Sequence, residues 1–287
     1  MSVKKKKANT RGAIAFRQFK KNKLAVAGSI VFIIIVLACL FGDYLTPYDY
    51  AKQDLLNKFA PLSWEHPFGT DQFGRDQLTR MLVGGRVSLY VGTLACILGT
   101  VVGAVCGCAA AFFGGKIEQI IMRLMEILQS IPSVLLSAAI AVALGDGLWV
   151  CIVAIGVGNI SSMTRIVHAS ALTISGQDYM EASHAIGCST TRKIFKHVLP
   201  NTLPTIIVRF AMTYSHSVTA IASLAFLGLG VKAPNPEWGA ILSAGKPFIR
   251  AYPEGVILPG LVIAITLMCV NFIGDGLRDA LDPRMKR

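Results

Sequence analysis

The chain has 287 residues, of which 53% are apolar and only 15% charged, and it carries a formal net charge of +12. A soluble domain usually carries about 25% charged residues. The shortfall, with apolar residues gathered into long runs, excludes an ordinary soluble domain. The positive charge does not point to nucleic acid, because Lys4, Lys5, Lys6, Lys7, Arg11, Arg17, Lys20, Lys21 and Lys23 all precede the first apolar run. Basic flanks of this kind mark the cytoplasmic side of a membrane protein.

In chain order, residues 1–23 form a basic tail suited to anionic headgroups, and 13–23 can lie on the inner surface as an amphipathic helix. The run 24–41 contains no charge and is too long for a cleaved signal, so residues 24–43 read as a first, uncleaved span. Residues 44–88, with Pro47, Pro61, Pro67 and mixed charges, read as an ordered outer loop. Further apolar runs follow at 89–113, 120–144, 148–167, 203–229 and 256–273, so 89–276 reads as a five-span core. Pro132 predicts a kink in the third run. A second outer loop, about 230–255, is rich in Pro and Trp, and 277–287 forms a cytoplasmic tail.

The fold class is therefore all-α: a polytopic membrane protein of about six transmembrane helices. Lipid requires backbone groups to be satisfied within each segment, and the alternating ten-residue period of a β-barrel is missing. An even number of crossings places both termini on the cytoplasmic side, and Arg278, Arg284, Lys286 and Arg287 agree with that.

Polar residues inside spans are costly and commonly face a water-filled cavity. Thr213, Ser215, His216, Ser217 and Thr219 cluster on the fifth run, Asn159, Ser161 and Ser162 on the fourth, and Glu126, Gln129 and Ser130 on the third. Asn271 lies on the sixth. They are candidates to line a translocation path, the alternative being interhelical hydrogen bonds. Glu126 is expected to be a buried carboxylate with Arg123 as partner. Gly99, Gly103 and Gly107 form a small-residue stripe that predicts close helix packing. Trp64, Trp149 and Trp238 read as membrane-interface anchors. The seven cysteines show neither a disulfide framework nor a zinc spacing and read as packing residues.

The inner loop, 175–201, is the most informative segment. Asp178 and Glu181 have capping-box spacing, Gly187 permits a left-handed turn, and Pro200 is expected to stop a second short helix before the next span. Residues and physics alone leave two readings: a knob that another protein can grip, or a surface linker.

This loop resembles the "EAA" loop of binding-protein-dependent ABC import permeases. Glu181, Ala182, Gly187, Leu199 and Pro200 match that pattern at its spacing, Ser183 replaces the usual Ala, and His197 stands where Ile is usual. The resemblance implies a type I importer permease fold with a cytoplasmic coupling helix that docks on an ATPase. The stretch His66 to Asp76, with Gly69, Thr70, Asp71, Gly74, Arg75 and Asp76, is similar to the outer-loop signature of the C-type subunit of dipeptide/oligopeptide/nickel permeases. Phe226 to Gly230 with Pro234, Pro236 and Trp238, and Gly274 to Arg284, match further family signatures. The implied partners are a homologous second permease, one or two ATPase subunits, an extracytoplasmic solute-binding protein and lipid, with no nucleic acid. The implied setting is the plasma (inner) membrane.

No Gly-x-x-x-x-Gly-Lys-Ser/Thr occurs; Gly115-Lys116 and Gly245-Lys246 both fail at the hydroxyl position. The chain is thus expected to be a non-catalytic subunit without cofactor or metal of its own, ATP and Mg being held by partner ATPases. An intramembrane protease and a passive channel are the readings from other classes. Asp146 and Asp275 each sit in Gly-Asp-Gly but on opposite membrane sides, where they cannot form a catalytic dyad. A channel does not require the EAA loop. Peptides are the expected cargo, with nickel or metal chelates and glutathione-like solutes as alternatives.

Overall fold

The computed structural model describes residues 11–281, which contain helices and one isolated bridge, Thr70–Asp76. The helices are α1 (Arg11–Phe19), α2 (Lys23–Leu40), α3 (Gly42–Leu45), α4 (Gln77–Phe113), α5 (Gly115–Ser130), α6 (Ser133–Leu144), α7 (Leu148–Ser175), α8 (Asp178–Ala185), α9 (Thr190–Lys193), α10 (Leu199–Phe226), α11 (Trp238–Gly245) and α12 (Glu254–Leu281). Lys4 to Lys7, Arg284, Lys286 and Arg287 lie outside the described residues.

By length and composition α2, α4, α7 and α12 can each cross a bilayer, and α5 with α6 makes a fifth crossing if the pair is one broken span. The fifth apolar run, α10, is long enough at 28 residues but too polar to qualify. Its hydroxyls are satisfied in large part by neighbouring helices and its own backbone, described below, whereas Arg209 makes one bond among the described residues, to Ser162 of α7.

The third run is broken rather than kinked. Ile131 is extended (φ −97°, ψ 126°), as the residue before a proline prefers, and the axes of α5 and α6 differ by 92° across Pro132. The loop expected over 44–88 also ends early. Asp76 caps α4, accepting from Thr79 N at 2.7 Å, so residues 77–88 are helix.

The centre of the bundle is the α4–α7 pair. A Cβ at Gly99 would stand 2.9 Å from the Gly156 carbonyl oxygen, one at Gly103 2.9 Å from that of Ile160, and one at Gly107 2.6 Å from that of Thr164. The stripe therefore brings the two backbones closer than any side chain allows. One apolar core joins α4 and α7 to α10 through Val91, Ala95, Ile152, Ile155, Ile221 and Leu224. A second gathers α2, α4, α10, α11 and α12 around Met81, Cys96, Tyr214, Trp238 and Val270. α2 packs on α12, with Gly28 against the Cys269 carbonyl, and leaves most of its apolar surface facing outward. α1 lies across the C-terminal end of α12, where Phe19 covers Gly276. Every cysteine is a free thiol, and Cys39, Cys96, Cys108, Cys151 and Cys269 are buried.

Candidate coupling surface and translocation path

At one end of the bundle the loop between α7 and α10 folds into a knob. Gln177, not Asp178, supplies the first helical carbonyl of α8, accepting from Met180 N at 2.7 Å and Glu181 N at 3.3 Å. Asp178 and Glu181 both sit in the first turn, where their charge suits the helix dipole. Cys188 N donates to the Ser183 carbonyl at 3.0 Å across Gly187, whose φ is +72°. This is a Schellman closure with glycine at the left-handed position.

Pro200 does not stop the second short helix. It occupies the first turn of α10, where a missing N–H costs nothing, and α9 runs into α10 through a π-turn over Ile194–Val198.

The predicted loop residues divide into two sets. Glu181, Ala182 and Gly187 are exposed, together with Ile186 (83% exposed) and Phe195 (65%). Ser183 is buried and donates to the Met180 carbonyl at 2.8 Å. Met180 and Val198 fix the knob to Ala171 and Ile174 of α7. His197 lies 6.2 Å from the Tyr179 ring, and its carbonyl accepts from Asn201 at 2.7 Å. Leu199 packs with Cys108, Met163, Val167 and Ile206, and Pro200 is exposed.

At the opposite end residues 46–76 form a cap in which the 66–76 motif folds on itself. Asp71 accepts from Phe73 N at 2.8 Å and Arg75 N at 3.0 Å and forms an ion pair with Arg75 at 2.6 Å. Thr70 Oγ1 accepts from Ala60 N at 2.8 Å and donates to the Asn57 carbonyl. Asp76 binds His66 Nδ1 at 2.9 Å in addition to capping α4. Gly69 and Gly74 both have φ of +70°, which only glycine adopts without strain. All six motif residues are thus brought together, and the side chains of Thr70, Asp71, Arg75 and Asp76 are consumed in building the cap. Tyr252, whose phenol burial pushes up in pKa, ties it to the segment before α12 by donating to the Phe68 carbonyl at 3.1 Å.

Sequence reasoning missed Glu237 and misjudged Trp238. Trp238 is 1% exposed rather than an interface anchor, and its indole N–H donates to the Met81 carbonyl at 2.8 Å. Glu237 is fully buried and accepts from Ser88 Oγ at 2.7 Å, Gly239 N at 3.0 Å and Ala240 N at 2.9 Å. Burial raises its pKa despite these donors. Trp64 and Trp149 are exposed.

The candidate path residues separate by environment. Asn159 Nδ2 donates to Ser217 Oγ at 2.9 Å, joining α7 to α10, and Ser217 Oγ donates to the Thr213 carbonyl at 2.9 Å. Ser215 donates to Asn271 Oδ1 at 3.0 Å, joining α10 to α12. Ser161 and Thr213 are buried. Gln129, His216 and Thr219 are exposed. Glu126 is also open, 45% exposed, contrary to the expected burial; it pairs with Arg123 at 2.9 Å and faces Arg165 at 3.9 Å. Ser162 accepts a hydrogen bond from Arg209 of α10.

Thr219 and Ser223 are the polar groups in a cleft of about 470 Å³ between α6, α10, α11 and α12. A larger cleft of about 800 Å³ between α2, α4, α10 and α12 is almost wholly apolar, with Arg86 at its rim.

A family model described as "Binding-protein-dependent transport system inner membrane component" matches residues 99–287, and one for the "N-terminal TM domain of oligopeptide transport permease C" matches 10–61. The chain is 38% identical over 273 residues to the oligopeptide transport system permease protein OppC of Bacillus subtilis, covering 95% of this chain and 90% of that one. It is 40% identical over 272 residues to the dipeptide permease protein DppC of Alkalihalophilus pseudofirmus, with the same coverage. The glutathione permease protein GsiD of Escherichia coli O6:H1 is 34% identical over 274 residues, covering 94% of this chain and 90% of that one. Among solved structures, the inward-facing MetNI methionine ABC transporter superposes with a TM-score of 0.61 at 21% identity, over 71% of this chain and 96% of that one. That likeness concerns the fold.

Proposed function

Because the chain belongs to the binding-protein-dependent transport system inner membrane component family, we propose that it is one of two homologous permeases that together form the path of an ATP-driven importer for di- and oligopeptides. Membership makes it a multi-pass membrane subunit that works with an ATPase and a substrate-binding protein. The peptide cargo is supported by relatives named for oligopeptide and dipeptide transport at 38–40% identity. A glutathione-like tripeptide is the next candidate, on the 34% relative.

The observation that carries the mechanism is the connectivity of the knob. It is anchored by Met180 and Val198 onto α7 and continues directly into α10. Those two helices bear Asn159, Ser162, Ser215, Ser217 and Thr219. A push on the exposed Glu181–Ala182 face therefore reaches both walls of the candidate path. The α4–α7 contact leaves no slack, so those helices move as a unit, while the π-turn at Ile194–Val198 offers a place to bend. ATP and Mg sit on the ATPase partners, both chain termini lie on their side of the plasma membrane, and the cap faces the solute-binding protein.

Co-purification from mild detergent tests this. The wild-type chain should retain a second permease and ATPase subunits. A Glu181→Lys/Gly187→Pro double variant should keep the permease and lose the ATPases. A wild-type chain that binds no ATPase in stabilising nucleotide returns a passive channel to first place.

A further inference from the structure

Arg209 and Arg165 are the charged groups the transport reading leaves unexplained. Arg209 lies about one and a half turns along α10 from Pro204 and about one turn before Thr213, half-buried. One of its terminal nitrogens donates to Ser162 of α7, while its Nε is shut off from solvent and has no partner among the described residues. Arg165 stands three residues after Ser162, on the same face of α7. Its Nε is likewise shut off and unpartnered, and its terminal nitrogen lies 3.9 Å from Glu126. Glu126 is shared with Arg123 at 2.9 Å. Glu118, the next carboxylate along α5, is engaged by His168 at 2.8 Å. Arg123 and Arg165 thus share one carboxylate, Arg209 has only the Ser162 hydroxyl, and two buried guanidinium donors are unused among the described residues.

Unpaired charge inside a membrane domain is costly and is retained where an anion comes to meet it. The site is open on one side, since Arg165 is 40% exposed and Glu126 45%. Guanidinium groups recognise carboxylates by paired N–H donors. We propose that Arg209 and Arg165, with Ser162, form an anion subsite that receives the terminal carboxylate of the transported peptide. The assignment rests on the peptide-importer reading and adds the residues that recognise the cargo within the membrane domain.

The test uses the complete transporter in proteoliposomes carrying Ser162→Cys, with the unsubstituted chain as background for the native thiols. A negatively charged methanethiosulfonate should modify Cys at 162 at least about tenfold faster than its positively charged counterpart. Tri-alanine supplied during turnover should slow that reaction, and tri-alanine amide should not. Arg209→Gln on the same background should abolish the charge preference and the protection, while Arg209→Lys should keep the preference. Absence of any reaction, reaction without charge preference, or protection by acid and amide alike would overturn the subsite while leaving peptide import standing. Loss of the second permease from the Arg209→Gln complex would assign the guanidinium to an inter-subunit ion pair and would also overturn it. A transporter that imports no tri-alanine in the absence of any substitution sinks the peptide reading itself, and the subsite with it.

Discussion

Gly187 has a φ of +72° and open space where a Cβ would stand, so alanine there meets no neighbour and suffers only from its own backbone. A left-handed L-residue costs about 1–2 kcal/mol. Gly187→Ala should therefore weaken ATPase retention about tenfold in a pull-down, with little change in the melting temperature of the isolated chain. Gly187→Asn should fall between, since Asn tolerates this conformation. Glu237 gives the opposite case, a residue whose environment is everything. Its carboxyl binds a proton more readily folded than unfolded, because burial outweighs its three donors. Folding is then favoured at low pH, and stability is lost as pH rises from the ordinary carboxylate value through the raised one. Thermal melts of the detergent-solubilised chain should decline with pH over that window, and Glu237→Gln should flatten the slope. Gly187 was legible from its spacing to Glu181. Glu237 was not, because it is buried by Ser88, 149 residues away. Trp238 escaped for the same reason, its partner Met81 lying 157 residues away.

Helices were legible where apolar runs are continuous, and the α4–α7 contact was legible from glycines four residues apart. A branched residue at Gly103 would drive its Cβ to 2.7 Å from that of Met163. Gly103→Val should cost about 1–3 kcal/mol or more by overpacking and lower the melting temperature and yield. Gly260 of α12 has only Leu242, at 3.8 Å, near a new Cβ. Gly260→Ala should instead raise stability by about 0.5–1 kcal/mol through helix propensity. What periodicity could not express is direction. Pro132 marks a discontinuity, but the 92° turn depends on how α5 and α6 each pack on α7. The polar residues of α10 likewise announced a path, whereas Asn159–Ser217 and Ser215–Asn271 show that several of them first hold helices together. Which polar groups face inward, outward or each other is a tertiary property.

For the whole molecule, the cap is tied to the bundle by Asp71 and the Tyr50 carbonyl on Arg80, by Phe59 against Phe248, and by the hydrogen bond from Tyr252 to Phe68. Tyr252→Phe should remove about 0.5–1.5 kcal/mol and speed limited proteolysis within residues 46–76, while cleavage near the knob stays unchanged. Beneath that cap α4 runs for 37 residues, about 55 Å at 1.5 Å per residue. The hydrocarbon layer is about 30 Å thick, and transmembrane tilts rarely exceed about 40°. A rod of this length cannot hide in the layer at any such tilt, so it must stand clear of it. Asp76 and His66 ride on its protruding tip, and its far end is bound along the glycine stripe to α7, from which the knob hangs. Such a rod is a lever arm: each degree of rocking carries one end about 1 Å past the other, so a small rotation imposed at the knob end becomes a sideways sweep at the cap.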